Sequence, residues 1–174
     1  MTYPGANTSI PAHPSNIGVG VNHPKVIVLH TPEEPVDDRE YTPIFFSEPN
    51  RSASTHDYAD SDGDLIQMVP EKYGAIANGV KGKAYPAGTM STISLNYQSV
   101  SIEIEGYAAG MQRTCPPGSR QWEAVRSWII SCALRYSIPI TRTRVIGHYE
   151  VASDRTDPGT LKIDQLVREA AQFA

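Results

Sequence analysis

The sequence predicts an α/β fold, a single domain with a central mixed β-sheet flanked by helices, and three observations carry that prediction. Lys25-Val26-Ile27-Val28-Leu29 is a continuous aliphatic run, β-branched through Val26, Ile27 and Val28, which suits a strand buried on both faces. Ser99 to Gly106 alternates strictly, with Val100, Ile102 and Ile104 towards a core and Ser99, Ser101, Glu103 and Glu105 on the other face. Segments with helical spacing of apolar residues follow these strands, so the chain interleaves strands and helices around one sheet. With 174 residues, 40% hydrophobic and 20% charged, the chain has the balance of a soluble protein. Its length suits one domain that buries about 70% of its unfolded surface.

Residues 1 to 24 are rich in proline, glycine and asparagine without periodicity. They read as an extended N-terminal arm with little regular structure, lying on or leading into a domain over residues 25 to 174. Thr31 to Pro43 is polar, acidic and proline-bearing, a surface loop that starts directly after His30 and forms one wall of any cleft His30 lines. A short helix is expected around Ile44 to Glu48. Thr55 to Ala59 and Leu65 to Val69 flank Asp60-Ser61-Asp62-Gly63-Asp64, whose Asp-Gly pair signals a hairpin of two antiparallel strands. Pro70 to Ser94 is weakly periodic and reads as a long irregular segment bearing a functional surface. Ser119 is placed to cap a helix whose stripe Trp122, Val125, Ile129, Cys132 and Tyr136 recurs at spacings of three and four, and Pro139 ends it. Val145-Ile146 is a further short strand. The last helix is expected from about Leu161 to Phe173, capped by Thr160, with Ile163, Leu166, Val167, Ala170 and Phe173 on its buried side.

A net charge of -4 leaves no basic footprint, so nucleic acid is not an expected partner. No run approaches the ~20 apolar residues of a membrane span, so no membrane association is expected. The first residues have neither the basic cap nor the apolar core of a secretory signal peptide. Cys115 and Cys132 fit neither a disulfide framework nor a cysteine-based zinc site. Cys132 falls on a helix stripe, where a buried free thiol is expected. Nothing in the sequence suggests more than a monomer.

The chemistry concentrates in Val145 to Gly159. A short strand ends at Gly147 and delivers His148, and Asp157 sits at the turn made by Pro158-Gly159. Imidazole nitrogen and carboxylate oxygen are both ligands that Zn²⁺ accepts. His30, at the end of a buried strand, is the candidate for a third. Three protein ligands with a fourth position left to water describe a catalytic zinc site, whereas a structural site is closed. Each residue alone has an ordinary structural reading: a hydrogen-bonded histidine, a turn-forming aspartate, a solvated glutamate at 103.

The joint pattern is more specific. Val26-Ile27-Val28-Leu29-His30, then Ser54-Thr55-His56-Asp57-Tyr58 with Asp62-Gly63-Asp64-Leu65-Ile66-Gln67-Met68-Val69-Pro70, then Asn96 with Ser99 to Gly106, then Gly147-His148 with Arg155-Thr156-Asp157-Pro158-Gly159 occur in this order. The series resembles the zinc-dependent N-acetylmuramoyl-L-alanine amidases of the amidase-2 and peptidoglycan-recognition-protein family, over about residues 25 to 172. The resemblance implies Zn²⁺ as cofactor, bacterial peptidoglycan as partner, and hydrolysis of the amide between N-acetylmuramic acid and L-alanine. It makes His30, His148 and Asp157 the metal ligands, Glu103 the glutamate beside the metal water, and Arg155 the counterpart of a lysine in many members. His56, Asn78 and Asn96 fall at substrate-groove positions, with a structural hydrogen bond as the competing role of His56. Arg51 and Arg113 are cations that a stem-peptide carboxylate could meet.

Where members commonly carry Trp-His-Ala-Gly, this chain reads Ile76-Ala77-Asn78-Gly79, which removes an aromatic wall and an imidazole. The resemblance points to the amidase module of a phage endolysin, held in the host bacterial cytoplasm until a separate membrane-permeabilising protein releases it to the wall. The alternatives are a module that binds peptidoglycan without cutting it, and a cytoplasmic amidase that recycles muropeptides.

Overall fold

The computed structural model describes residues 8–36 and 41–173. In chain order the strands are β1 (Thr8–Ser9), β2 (Ile17–Val21), β3 (Val26–His30), β4 (Asp57–Ala59), β5 (Leu65–Gln67), β6 (Tyr73–Ala75), β7 (Ser99–Ile104) and β8 (Val145–Gly147). The helices are α1 (Tyr41–Ser47), α2 (Met111–Thr114), α3 (Arg120–Tyr136) and α4 (Ile163–Ala170).

The main sheet runs β1-β5-β4-β7-β3-β8. Its centre, β4, β7, β3 and β8, is parallel, while β5 returns antiparallel to β4 across the expected Asp-Gly hairpin. Gly63 has φ +89°, which explains glycine in that turn. The register of β3 and β7 pairs Val26 with Ser99 and ends by pairing His30 with Glu103. Because side chains alternate along a strand, Ile27 and Leu29 share one face with Val100, Ile102 and Ile104, and Val26, Val28 and His30 share the other with Ser99, Ser101 and Glu103.

The first face is the main core. There α3 and α4 pack Trp122, Val125, Ile129, Leu166 and Val167 against the sheet. Ser119 caps α3 as its sequence position predicts, its hydroxyl accepting from Trp122 N at 3.2 Å. Cys115 and Cys132 are buried free thiols, and burial pushes the Cys115 thiol up to about 12. The second face is not solvated, although alternation alone suggests a polar surface. The segment between β5 and β7, together with α1 and the N-terminal arm, covers it, so all six residues of β7 are buried.

Several expectations change. Described residues of the arm carry two strands: β1 adds to the edge of the main sheet and β2 pairs antiparallel with β6, itself an unexpected strand in the 70–94 segment. The glycines that made this region look irregular are needed for packing, since a Cβ at Gly18 or Gly74 would lie within 3 Å of the Tyr97 ring. Helix α1 begins at Tyr41 rather than near Ile44, and residues 37–40 of the loop before it lie outside the described residues, as do residues 1–7 of the arm. Thr160 does not cap α4. Its hydroxyl donates to Ala108 O and accepts from Gln112 N, each at 3.1 Å, and the helix starts at Ile163 without a side-chain cap. Phe173 is exposed because the chain tightens into a 3-10 turn after Ala170, rotating it off the buried stripe and under the Arg126 guanidinium.

Candidate metal centre

His30 and Glu103 come to the same end of the sheet because they are register partners at the carboxyl ends of parallel β3 and β7. Strand β8 pairs Gly147 with Leu29, so His148 emerges beside His30, and the two rings lie 4.4 Å apart, centroid to centroid. The loop after β8 turns back so that Tyr149 N donates to Asp157 O at 3.0 Å, which brings the Asp157 carboxylate between the imidazoles. Asp157 Oδ2 lies 3.2 Å from Nδ1 of each histidine. The three residues are buried, and one potential ligand atom from each lies within 4.8 Å of the others. The crevice at the carboxyl ends of parallel strands is where open α/β sheets commonly bind ligands.

The electrostatics follow from burial. Burial by itself raises the Asp157 carboxyl, but the His148 and His30 rings against it outweigh burial and hold the group well below the usual carboxylate range. Burial lowers His30 despite its contact with Asp157. Glu103 is pushed well above the usual carboxylate range, first by burial, then by the charges of Asp157 and Glu34, with Arg155 opposing. Its Oε2 is buried with no hydrogen-bond partner among the described residues. These residues fit a divalent metal such as Zn²⁺: two imidazole nitrogens and a carboxylate oxygen converge, and the remote His30 nitrogen has a polar partner, as metal-bound histidines usually do.

All three candidate ligands, with Glu103 and Arg155, line a groove of about 680 Å³. Arg155 is exposed at its rim. Thr31, Pro32 and Glu33 supply part of one wall, as the position of their loop after His30 suggests.

The structure separates the three groove candidates. His56 is fully buried and does not line the groove. Its Nδ1 accepts from Ser101 N at 3.1 Å and its Nε2 faces Tyr73 O at 3.1 Å, so of its two weighed roles it fills the structural one. Burial lowers its pKa to about 4. Asn78 lies in the groove lining but is buried, with Oδ1 at 2.8 Å from His30 Nε2. Asn96 also lies in the lining, yet its Oδ1 is taken by Asn78 N at 2.6 Å and Ala77 N at 3.2 Å.

Two features escaped sequence reasoning. Helix α1 gives the groove an aromatic wall, with Tyr41 and Phe45 stacked at 6.4 Å and Arg51 4.3 Å over the Phe45 ring. The Ile44 to Glu48 helix signal was present, but not which face meets the groove. Glu34 is buried beneath the site, accepting from Tyr58 and Thr42 hydroxyls at 2.7 Å each. An acidic residue in an apparent loop gave no signal of that.

A sequence profile described as N-acetylmuramoyl-L-alanine amidase matches residues 20–160. No curated protein matches the chain. Among solved structures the fold is similar to a selenomethionine AmpD derivative, with TM-score 0.72, 21% identity and coverage of 97% of this chain and 96% of that one. It is also similar to a mutant endolysin from Bacillus subtilis (TM-score 0.69, 19% identity, 95% and 99% covered). The Ph2119 endolysin from the Thermus scotoductus bacteriophage Ph2119 gives TM-score 0.63 at 21% identity, with 91% and 92% covered. A match over most of the chain, on a mixed sheet that gathers His30, His148, Asp157 and Glu103 at one groove, places this protein in the N-acetylmuramoyl-L-alanine amidase family.

Proposed function

We propose that this chain is a zinc-dependent amidase that cleaves the bond between the lactyl carbonyl of N-acetylmuramic acid and L-alanine in peptidoglycan. The observation that carries the reading is the convergence of His30, His148 and Asp157 at the end of a groove that Glu103 also lines. Bound there, Zn²⁺ would supply Lewis acidity and lower the pKa of a coordinated water towards ~7. His30, His148 and Asp157 would hold that ion at the groove they line. Glu103 accepts a proton from the attacking water and returns it to the leaving nitrogen, so that the C–N bond breaks to a lactyl carboxylate and a free L-alanyl amine. Its Oε2, without a hydrogen-bond partner among the described residues, leaves it an oxygen for that transfer. Arg155 at the rim contributes positive charge as the carbonyl oxygen becomes negative.

Asn78 and Asn96 support the groove floor through the chain itself rather than as first contacts to substrate. Tyr41 and Phe45 provide the aromatic wall that Ile76 and Ala77 lack. We further propose that the enzyme acts as a monomeric endolysin amidase on intact walls, reaching them when the host membrane is breached. Family membership supports the amidase reading, and the lytic setting draws on endolysins among proteins of this fold.

The test is mass spectrometry of peptidoglycan digested by the purified, zinc-loaded protein. Free L-alanyl stem peptides and intact glycan strands are expected; cut glycan or cut cross-links with the amide intact would refute the assignment. Lysis of intact sacculi supports the endolysin setting, whereas cleavage confined to soluble muropeptides would exclude it. His30→Ala and Asp157→Ala are expected to lose both zinc and turnover, checked by metal analysis of the purified variants.

A further inference from the structure

We propose that Asn78 is a positioning residue for the metal centre: its side-chain oxygen holds the His30 ring with hydrogen on Nε2, leaving a bare Nδ1 turned towards His148 and Asp157. The inference rests on the metal reading above and gives Asn78 a role other than substrate contact.

An inventory of protons supports it. Ser99 Oγ lies 2.7 Å from Leu95 O, and a peptide carbonyl only accepts, so the single hydroxyl hydrogen of Ser99 points there. Ser99 Oγ is then left as an acceptor towards Asn78, 2.8 Å away. The Asn78 atom facing it must therefore be the amide nitrogen, which turns Oδ1 to His30 Nε2 at 2.8 Å. An amide oxygen has no hydrogen to give, so His30 must carry its own on Nε2. A neutral imidazole then has its lone pair on Nδ1, the atom 3.2 Å from Asp157 Oδ2. A bare nitrogen facing a carboxylate oxygen is repulsive unless a cation lies between them, so the tautomer set by Asn78 is the one a metal ion needs.

The backbone fixes the position of this amide. Asn96 Oδ1 accepts from Asn78 N and Ala77 N, and Asn78 is buried, so its side chain has little freedom to turn away. The chain from Leu95 through Ser99 and Asn78 to His30 is thus a single hydrogen-bonded line in which each orientation is forced by the previous one. Polar partners of this kind change metal affinity by about 10- to 100-fold when removed.

The experiment measures zinc affinity by competition with a chromophoric chelator in wild type, Asn78→Leu, Asn78→Asp and Ser99→Ala, and reads the His30 tautomer from long-range ¹H–¹⁵N spectra of the zinc-free protein. Asn78→Leu should bind zinc about 10- to 100-fold more weakly. Asn78→Asp, which keeps an acceptor towards Nε2, should stay near wild type. Ser99→Ala, which frees the amide to flip, should fall between them, and the wild-type spectrum should show hydrogen on Nε2 of His30. Equal zinc affinity in wild type and Asn78→Leu, or hydrogen on Nδ1 of His30, overturns the proposal. If Asn78→Leu does not fold, Ser99→Ala and the wild-type spectrum decide it. Failure of wild type itself to bind zinc refutes the metal reading instead, and the spectrum still judges the role of Asn78.

Discussion

Glu103 Oε2 is buried without a hydrogen-bond partner among the described residues, an arrangement that costs on the order of 1 to 3 kcal/mol and that the proposed proton transfer would explain. Glu103→Gln should therefore keep its zinc and be at least as stable as wild type, while turnover falls by about 10² to 10⁴. Turnover within a few-fold of wild type would remove Glu103 from the mechanism. His56 makes the opposite case, a histidine kept for structure. Its neutral ring accepts the Ser101 N–H, and burial holds its pKa at about 4, so between that value and ~6.5 the unfolded chain binds the extra proton. The contribution is present above pH ~6.5 and is lost as pH falls towards the folded value. Denaturant titrations of zinc-free protein should show wild type losing on the order of 2 to 3 kcal/mol more than His56→Gln between about pH 7 and pH 4.5. Parallel pH profiles would contradict this. His30, His148 and Asp157 were legible because each stands at a strand end or a Pro-Gly turn, where local sequence fixes direction. Asn78 was not, because its partner His30 is 48 positions away and only the packing of the 70–94 segment over β3 brings them together.

Elements were legible where one face decides their fate. The stripe of α3 is buried through Trp122, Val125, Ile129 and Cys132, and its Ser119 cap was visible as a hydroxyl one residue before the first turn. Ser119→Ala should cost about 1 kcal/mol, with Ser119→Asp retaining most of it. For a domain of this size that is a fall of roughly 2 to 4 °C in Tm, measurable by differential scanning calorimetry. An unchanged Tm in Ser119→Ala would show the cap to be energetically idle. Alternation in β7 gave the strand and the orientation of Glu103 but not the depth of its polar face. Ser99 and Ser101 were placed on the face away from the core, and both lie under neighbouring chain, with Ser99 Oγ held by Asn78 and Ser101 N by His56. Polar residues on a strand indicate hydrogen bonding, and the partner can be protein as well as water. Thr160 misled for a related reason: a hydroxyl before a helix is a cap only if its own loop does not claim it.

On the scale of the whole molecule, the arm before β3 is a buttress of the groove. Most of its described part precedes the matched residues 20–160, and composition alone marked it as unstructured. Asn16, wholly buried, joins it to the α1 wall of the groove. Its side chain donates to Phe46 O at 2.9 Å and Glu48 O at 2.7 Å, and accepts from Arg51 N at 2.9 Å and Ser52 N at 3.1 Å. One carboxamide thus satisfies four backbone groups at the end of α1, the helix that carries Phe45 into the groove. The candidate ligands, by contrast, hang from β3, the end of β8 and the loop after it. Asn16→Ala should therefore uncouple the two halves of the site. Stability should fall by about 2 to 4 kcal/mol from the hydrogen bonds lost. KM should rise several-fold as the α1 wall loosens, with zinc affinity unchanged and amide exchange accelerated across residues 45–54. A parallel loss of zinc affinity would mean that the metal centre also depends on this wall, and that the arm supports the site as a whole rather than its substrate half alone.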